Sequence, residues 1–127
     1  MKLFILTCLA GLLVLPSVAS SKLNLALPVT SGRASWYGKR EQGKRTASGE
    51  RFDRHKYTAA SRTYPLGTLL MVKFPSKGTF VAVRVNDRGP FKKGRVLDLS
   101  ERAAQTLGLK PYGVGQVLIA PINFGGN

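Results

Sequence analysis

Cysteine is almost missing from this chain: of 127 residues only Cys8 is one, and it lies in the apolar leader. A disulfide-stapled scaffold is thereby excluded, so a compact form must be held by its own core. A single histidine, His55, with no cysteine beyond the leader leaves too few ligands for a structural or catalytic zinc site, and no cofactor is expected. Long hydrophobic runs are absent as well. The longest, Leu3 to Leu15, falls well short of the roughly 20 apolar residues that span a bilayer. Glycine-rich phosphate loops of the Walker or dinucleotide-binding type do not occur, and nothing like a nucleophile elbow accompanies His55.

Acidic residues are the most informative shortage. Only 6 Asp and Glu face 20 Lys and Arg, for a formal charge of +14. Such a field draws the protein toward polyanions, but steering alone does not name the polymer or any chemistry. Each carboxylate is therefore worth placing: Glu41, Glu50, Asp53, Asp87, Asp98 and Glu101.

Lys2, the apolar run, Pro16 and the small residues Ser17, Ala19 and Ser20 have the layout of a secretory signal peptide over residues 1–20, with cleavage expected after Ala19 or Ser20. Cys8 comes too early in the apolar run, and after Thr7, to mark a lipidation site. The expectation is an exported protein of the periplasm, envelope or medium with no transmembrane segment after cleavage. Residues 21–31, with Pro28 and no hydrophobic period, read as a short leader, and one domain is expected over residues 32–125. The roughly 105 residues left after cleavage suffice for a single core but not for two.

Within that domain the pattern is β-rich. Ala34 and Trp36 suggest a first strand, and Gly38 to Arg45 a charged loop. Tyr57 to Ala60 suggests a short strand ended by the Pro65 to Gly67 turn. Thr68 to Phe74 and Thr79 to Val85, joined by Pro75 to Gly78, read as a hairpin. Val81, Val83 and Val85 alternate with Phe80, Ala82 and Arg84, which assigns the valines to the core. Ser100 is placed to cap a short helix that carries Glu101 in its first turn, buries Ala103, Ala104 and Leu107, and ends at Gly108. Gln116 to Ile122 completes the strands. Several short strands with one small helix predict an all-β class protein, a compact barrel or sandwich.

Among the carboxylates, Asp87 ends an apolar strand in Asn86-Asp87-Arg88-Gly89-Pro90, a composition that ordinary turn chemistry also produces. Asp98, between Leu97 and Leu99, reads as a loop carboxylate bonding nearby amides ahead of the helix. Glu50 follows Ser48 and Gly49 in a polar loop where exposure is the default, and His55 reads as a surface residue.

Taken in order, Ala34-Ser35-Trp36-Tyr37-Gly38, Thr46-Ala47-Ser48-Gly49-Glu50, Thr58-Ala59-Ala60, Pro65-Leu66-Gly67-Thr68, Asn86-Asp87-Arg88-Gly89-Pro90 and Asp98-Leu99-Ser100 closely resemble the rare lipoprotein A family, from about Gly32 to Ile122. The resemblance implies a six-stranded double-psi β-barrel, the fold also found in expansins, and endolytic lytic transglycosylase activity that cleaves peptidoglycan strands to 1,6-anhydro ends. By that resemblance Asp87 is the acid/base and Glu50 a second essential carboxylate. Asp98 is the groove carboxylate shared with expansins, and Thr46 belongs to the same groove. Where the family carries histidine after Thr-Ala-Ala, this chain has Ser61, which accepts hydrogen bonds but does not titrate near neutral pH.

A lytic transglycosylase suits an inventory this short of acids, because the sugar's own C6 hydroxyl attacks and one carboxyl can serve as acid and then base. Trp36 and Tyr37 are candidates for a sugar platform, with core packing as the equal alternative. Arg88 is a candidate partner for stem or lactyl carboxylates. The expected partners are peptidoglycan glycan strands and anionic wall polymers, without specific nucleic acid. A non-catalytic, expansin-like wall-binding module is the alternative, and a cationic protein aimed at nucleic acid or membrane, revealed by steep salt sensitivity, is the third reading.

Overall fold

The computed structural model describes residues 28–122. The signal-peptide expectation and most of the leader lie outside the described residues, as do residues 123–125 of the expected domain. Six strands close into a barrel: β1 (Thr30–Tyr37), β2 (Thr58–Ala60), β3 (Leu69–Phe74), β4 (Thr79–Asp87), β5 (Arg95–Ser100) and β6 (Gly115–Pro121). Around the barrel their order is β1-β5-β2-β4-β3-β6, and β6 returns to pair with β1. The β1/β5 and β2/β4 pairs are parallel and the rest antiparallel. The first strand begins at Thr30, so its first two residues come from the stretch read as leader and pair with Ile119 and Leu118.

The hairpin forms as its composition requires. Leu70, Val72 and Phe74 on β3 and Val81, Val83 and Val85 on β4 are buried in one core, while Phe80 and Ala82 face solvent. Parallel strands are usually buried on both faces and read as apolar runs. Leu97 and Leu99 of β5 obey that rule, with no exposed surface. Asp98 is not in a loop, as its sequence surroundings suggest, but in the middle of β5, where the two leucines hold the strand in the core and Asp98 projects between them.

A helix, α1 (Glu101–Leu107), follows β5 directly. The Ser100 side chain accepts from the amide of Ala103, Gly108 closes the helix in the left-handed conformation, and Ala103, Ala104 and Leu107 are buried. Ser100 does more than cap. Its hydroxyl donates to the Lys56 carbonyl at 2.6 Å and accepts from the Thr58 amide at 3.4 Å, tying β2 to the helix start. Replacing Ser100 by Ala removes the cap and strands these buried groups, with an expected loss of about 1–3 kcal/mol by thermal or urea denaturation. A change below about 0.5 kcal/mol would mean that water takes over the bonds.

Candidate active site at the mouth of the barrel

The register places four residues side by side across four neighbouring strands. Ser35 on β1 is opposite Asp98 on β5, Asp98 is opposite Ala60 on β2, and Ala60 is opposite Asp87 on β4. Adjacent strands lie about 4.8 Å apart, so the two aspartates stand roughly 10 Å from each other at Cα with the small Ala60 between them. Ser35, which the sequence reading passed over, donates a short hydrogen bond from Oγ to Asp98 Oδ1.

Asp87 is held by backbone. Its Oδ1 accepts from the amides of Ala47, at 3.0 Å, and Arg88, at 2.9 Å. Turn chemistry and a candidate chemical role are thus compatible: one carboxylate oxygen docks the Thr46–Glu50 loop onto the end of β4, and no hydrogen bond engages Oδ2 among the described residues.

Glu50 is more constrained than its loop position suggested. Its Oε1 meets Arg84 Nη1 at 2.9 Å and accepts from Asn86 Nδ2, also at 2.9 Å. Hydrogen bonds from Arg84 and then from Asn86 hold its carboxyl below the usual carboxylate range, outweighing burial. Arg84 and Asn86 both reach it because alternation along β4 turns them to the side opposite the valines. In the sequence Arg84 marks only the alternation of β4, and a cation two residues before an Asn at the end of an apolar run is the signal it offers.

A depressed carboxyl pKa stabilises the fold above the unfolded value of 4.5, and the contribution disappears as pH falls through the lower folded value. Glu50→Gln is therefore expected to lower the melting temperature slightly at neutral pH. The gap from wild type should close below pH 4.5 as both side chains become neutral. With Glu50 37% exposed and Arg84 39% exposed the effect stays under about 1 kcal/mol. A gap that widens in acid would contradict the ion pair.

Other residues singled out from the sequence are deployed differently from expectation. Ser61 is fully buried. Its hydroxyl accepts from the amides of Thr63 at 3.2 Å and Tyr64 at 3.0 Å, and its link to Asp87 is a backbone one, the Ser61 amide donating to the Asp87 carbonyl at 3.0 Å. Arg88 spends Nη1 on the carbonyls of Ser61 and Tyr64, both at 2.7 Å, and so clamps the loop after β2. Thr46 donates its hydroxyl to the Glu50 carbonyl at 2.6 Å and stands 2.9 Å from the Ser48 hydroxyl, shaping the loop from inside. His55 is exposed and accepts from Arg54 Nε at 3.4 Å, with no hydrogen bond to the aspartate row.

Trp36 and Tyr37 combine packing with access. The Trp36 indole donates to the Lys110 carbonyl at 3.2 Å, and the Lys110 ammonium lies 5.4 Å from its ring centroid. The Tyr37 ring stacks on Phe52 with centroids 4.4 Å apart. The Tyr37 hydroxyl is buried without a hydrogen-bond partner. Burial first, then the negative fields of Asp87, Asp98 and Glu41, push its pKa far up, so it stays a neutral hydroxyl. Both aromatics line an open depression of about 520 Å³ with Gly38, Lys39, Arg40 and Glu41. Among the described residues no three His, Cys, Asp or Glu side chains gather as a metal-ligating group, and no helix is long and apolar enough to cross a membrane.

Comparisons with known proteins agree with this architecture. The model of a family described as "Lytic transglycolase" matches residues 29–119. A probable endolytic peptidoglycan transglycosylase RlpA of Synechocystis is 50% identical over 91 residues, covering 72% of this chain and 28% of the relative. The endolytic peptidoglycan transglycosylase RlpA of Neisseria meningitidis is 46% identical over 92 residues, covering 72% and 38%. The chain thus spans little more than a third, or less, of the length of these curated relatives. Among solved structures, the apo expansin of Clavibacter michiganensis superposes with a TM-score of 0.62 at 27% identity, over 79% of this chain and 53% of the expansin. The Streptomyces papain inhibitor shares the fold at the same TM-score and 21% identity, over 76% of this chain and 96% of the inhibitor. With the closed six-stranded barrel and these matches together, the chain belongs to the RlpA-like, double-psi β-barrel family of lytic transglycolases.

Proposed function

We propose that this protein is an exported peptidoglycan lytic transglycosylase that cuts glycan strands endolytically, with Asp87 as its acid and base. The observation that carries the reading is the contrast between two carboxylates tied to the end of β4. Asp87 has one oxygen fixed by two amides and the other unengaged, whereas Glu50 is locked by Arg84 and Asn86. Glu50, with Oε1 engaged by Arg84 and Asn86, has the work of fixing the loop. Asp87 Oδ2 gives its proton to the glycosidic oxygen as the C1–O4 bond breaks. The C6 hydroxyl of the muramoyl residue then closes on C1, forming the C1–O6 bond, and its proton passes to Asp87. No water and no second base are consumed, so the wide separation of Asp87 from Asp98 is no obstacle. Asp98, oriented by Ser35, and the Tyr37 face bind sugar. Export is supported by the signal-like layout of residues 1–20 and attraction to an anionic wall by the charge of +14.

One observation favours the expansin-like alternative, binding without cleavage: neither Ser61 nor His55 offers Asp87 a titrating side chain near neutral pH. Incubating the protein with purified sacculi, intact and amidase-stripped, and assaying 1,6-anhydro muropeptides by mass spectrometry separates the two. Anhydro ends support the enzyme; retention on sacculi without new ends makes this barrel a binding module.

A further inference from the structure

We propose that Phe91 is a saccharide-stacking residue, its ring set beside Gly89 and Ala60 and packing against the apolar face of a pyranose held between Asp87 and Asp98. The inference rests on the glycan reading above and adds to it a residue that the sequence reading did not consider.

Phe91 is 81% exposed, the highest value among the large hydrophobic side chains described. Leaving a phenylalanine in water forgoes most of the burial free energy such a side chain supplies, which an apolar ligand face would restore. The other well-exposed aromatics are engaged within the protein. Phe80 carries the Lys73 ammonium at 5.2 Å, Tyr112 meets Phe74 and Lys77, and Tyr57 meets Arg102. Phe91 has no aromatic or cation–π partner among the described residues.

Its placement ties it to the carboxylate row. A Cβ built on Gly89 would lie 3.6 Å from the Phe91 ring and 4.0 Å from the Ala60 Cβ, so the ring backs onto Gly89 beside the alanine that separates Asp87 from Asp98. Gly89 has φ +130°, a conformation that side-chain-bearing residues rarely adopt, so the turn that carries the ring favours glycine there. One edge of the ring is thus braced while the rest meets solvent.

The surroundings suit a sugar. Lys92 and Lys93 follow the ring directly in the chain and are exposed, so an apolar side chain stands next to two cations in sequence. A pyranose presents the same combination, an apolar C–H face edged by hydroxyl, amide and, on a muramoyl unit, carboxylate groups. An anionic bilayer surface is the competing occupant, because an aromatic beside lysines also suits a headgroup region.

The test measures binding of peptide-stripped glycan strands, and separately of anionic phospholipid vesicles, in an Asp87→Asn background so that no strand is cut. Phe91→Ala is expected to weaken glycan binding roughly fivefold to tenfold, and Phe91→Tyr to stay within about twofold, with unchanged circular dichroism. Glycan binding by Phe91→Ala equal to that of the parent overturns the assignment while leaving the proposed function standing. Loss of vesicle affinity with glycan affinity intact makes the ring a membrane contact instead. If the parent binds no glycan at all, the glycan reading fails and this inference with it.

Discussion

Replacing Asp87 by Asn is expected to abolish the formation of 1,6-anhydro ends while leaving the protein folded and bound to sacculi. The geometry makes this substitution unusually clean. Asn Oδ1 can still accept the amides of Ala47 and Arg88 at 3.0 and 2.9 Å, so the loop that follows Thr46 stays docked. The Ser61 amide bonds the Asp87 backbone carbonyl, which the substitution does not touch. What the proposed reaction loses is the carboxyl oxygen Oδ2 that it uses as acid and base, a contribution of about 10² to 10⁴ in rate. Sacculus retention should change by less than about twofold, because the cationic surface and the Tyr37 face are intact. Glu50 is not positioned to take over, since its Oε1 is engaged by Arg84 and Asn86. Turnover near wild type would show that the proton comes from elsewhere and would remove Asp87 from the chemistry.

How much of this was legible beforehand depends on what each residue's neighbours are in sequence and in space. The hairpin, the Ser100 cap and the Gly108 stop are local patterns and were readable from spacing alone. The strand β5 was missed because its short Arg95–Ser100 run alternates imperfectly and leads straight into a helix. Only closure of the barrel, which places it between β1 and β2, makes it a strand. The resemblance to a family supplied Asp87, Glu50 and Asp98, and the register then brought Asp87 and Asp98 into one row with Ser35 and Ala60.

Arg84, Asn86 and Phe52 stayed invisible as parts of the site because their partners, Glu50 for the first two and Tyr37 for the third, are distant in sequence or joined across a loop. Ser61 shows the opposite error of emphasis. A position prominent in the resemblance turns its hydroxyl into its own turn, where it organises the Thr63 and Tyr64 amides and, through its carbonyl, receives Arg88. The charge of +14 remains a statement about attraction rather than chemistry, since the two carboxylates with described ion pairs, Glu50 and Glu101, use cations locally.

Truncating Leu99 to Ala should produce the largest loss of stability. Leu99 is fully buried, lies opposite Trp36 on β1 and Ala59 on β2, and belongs to the single core cluster that fills the barrel. A barrel strand flanked on both sides cannot shift to refill the space, because its backbone is pinned by both ladders. Most of the cavity then persists, which puts the cost at the middle of the usual range, about 3 kcal/mol. For a domain of this size that corresponds to a fall in melting temperature of roughly 12–24 °C, with an unchanged urea m-value if the denatured state is unaffected. No cysteine exists among the described residues to restrain the unfolded chain, so nothing buffers the loss. Phe80→Ala on the exposed face of β4 is the matched control and should cost less than about 1 kcal/mol. A loss at Leu99 no greater than the control would mean that β5 is not a core strand. Asp98, carried between Leu97 and Leu99, would then lack the rigid support that places it in register with Ala60 and Asp87, and the arrangement of the site would have to be rebuilt from a different barrel.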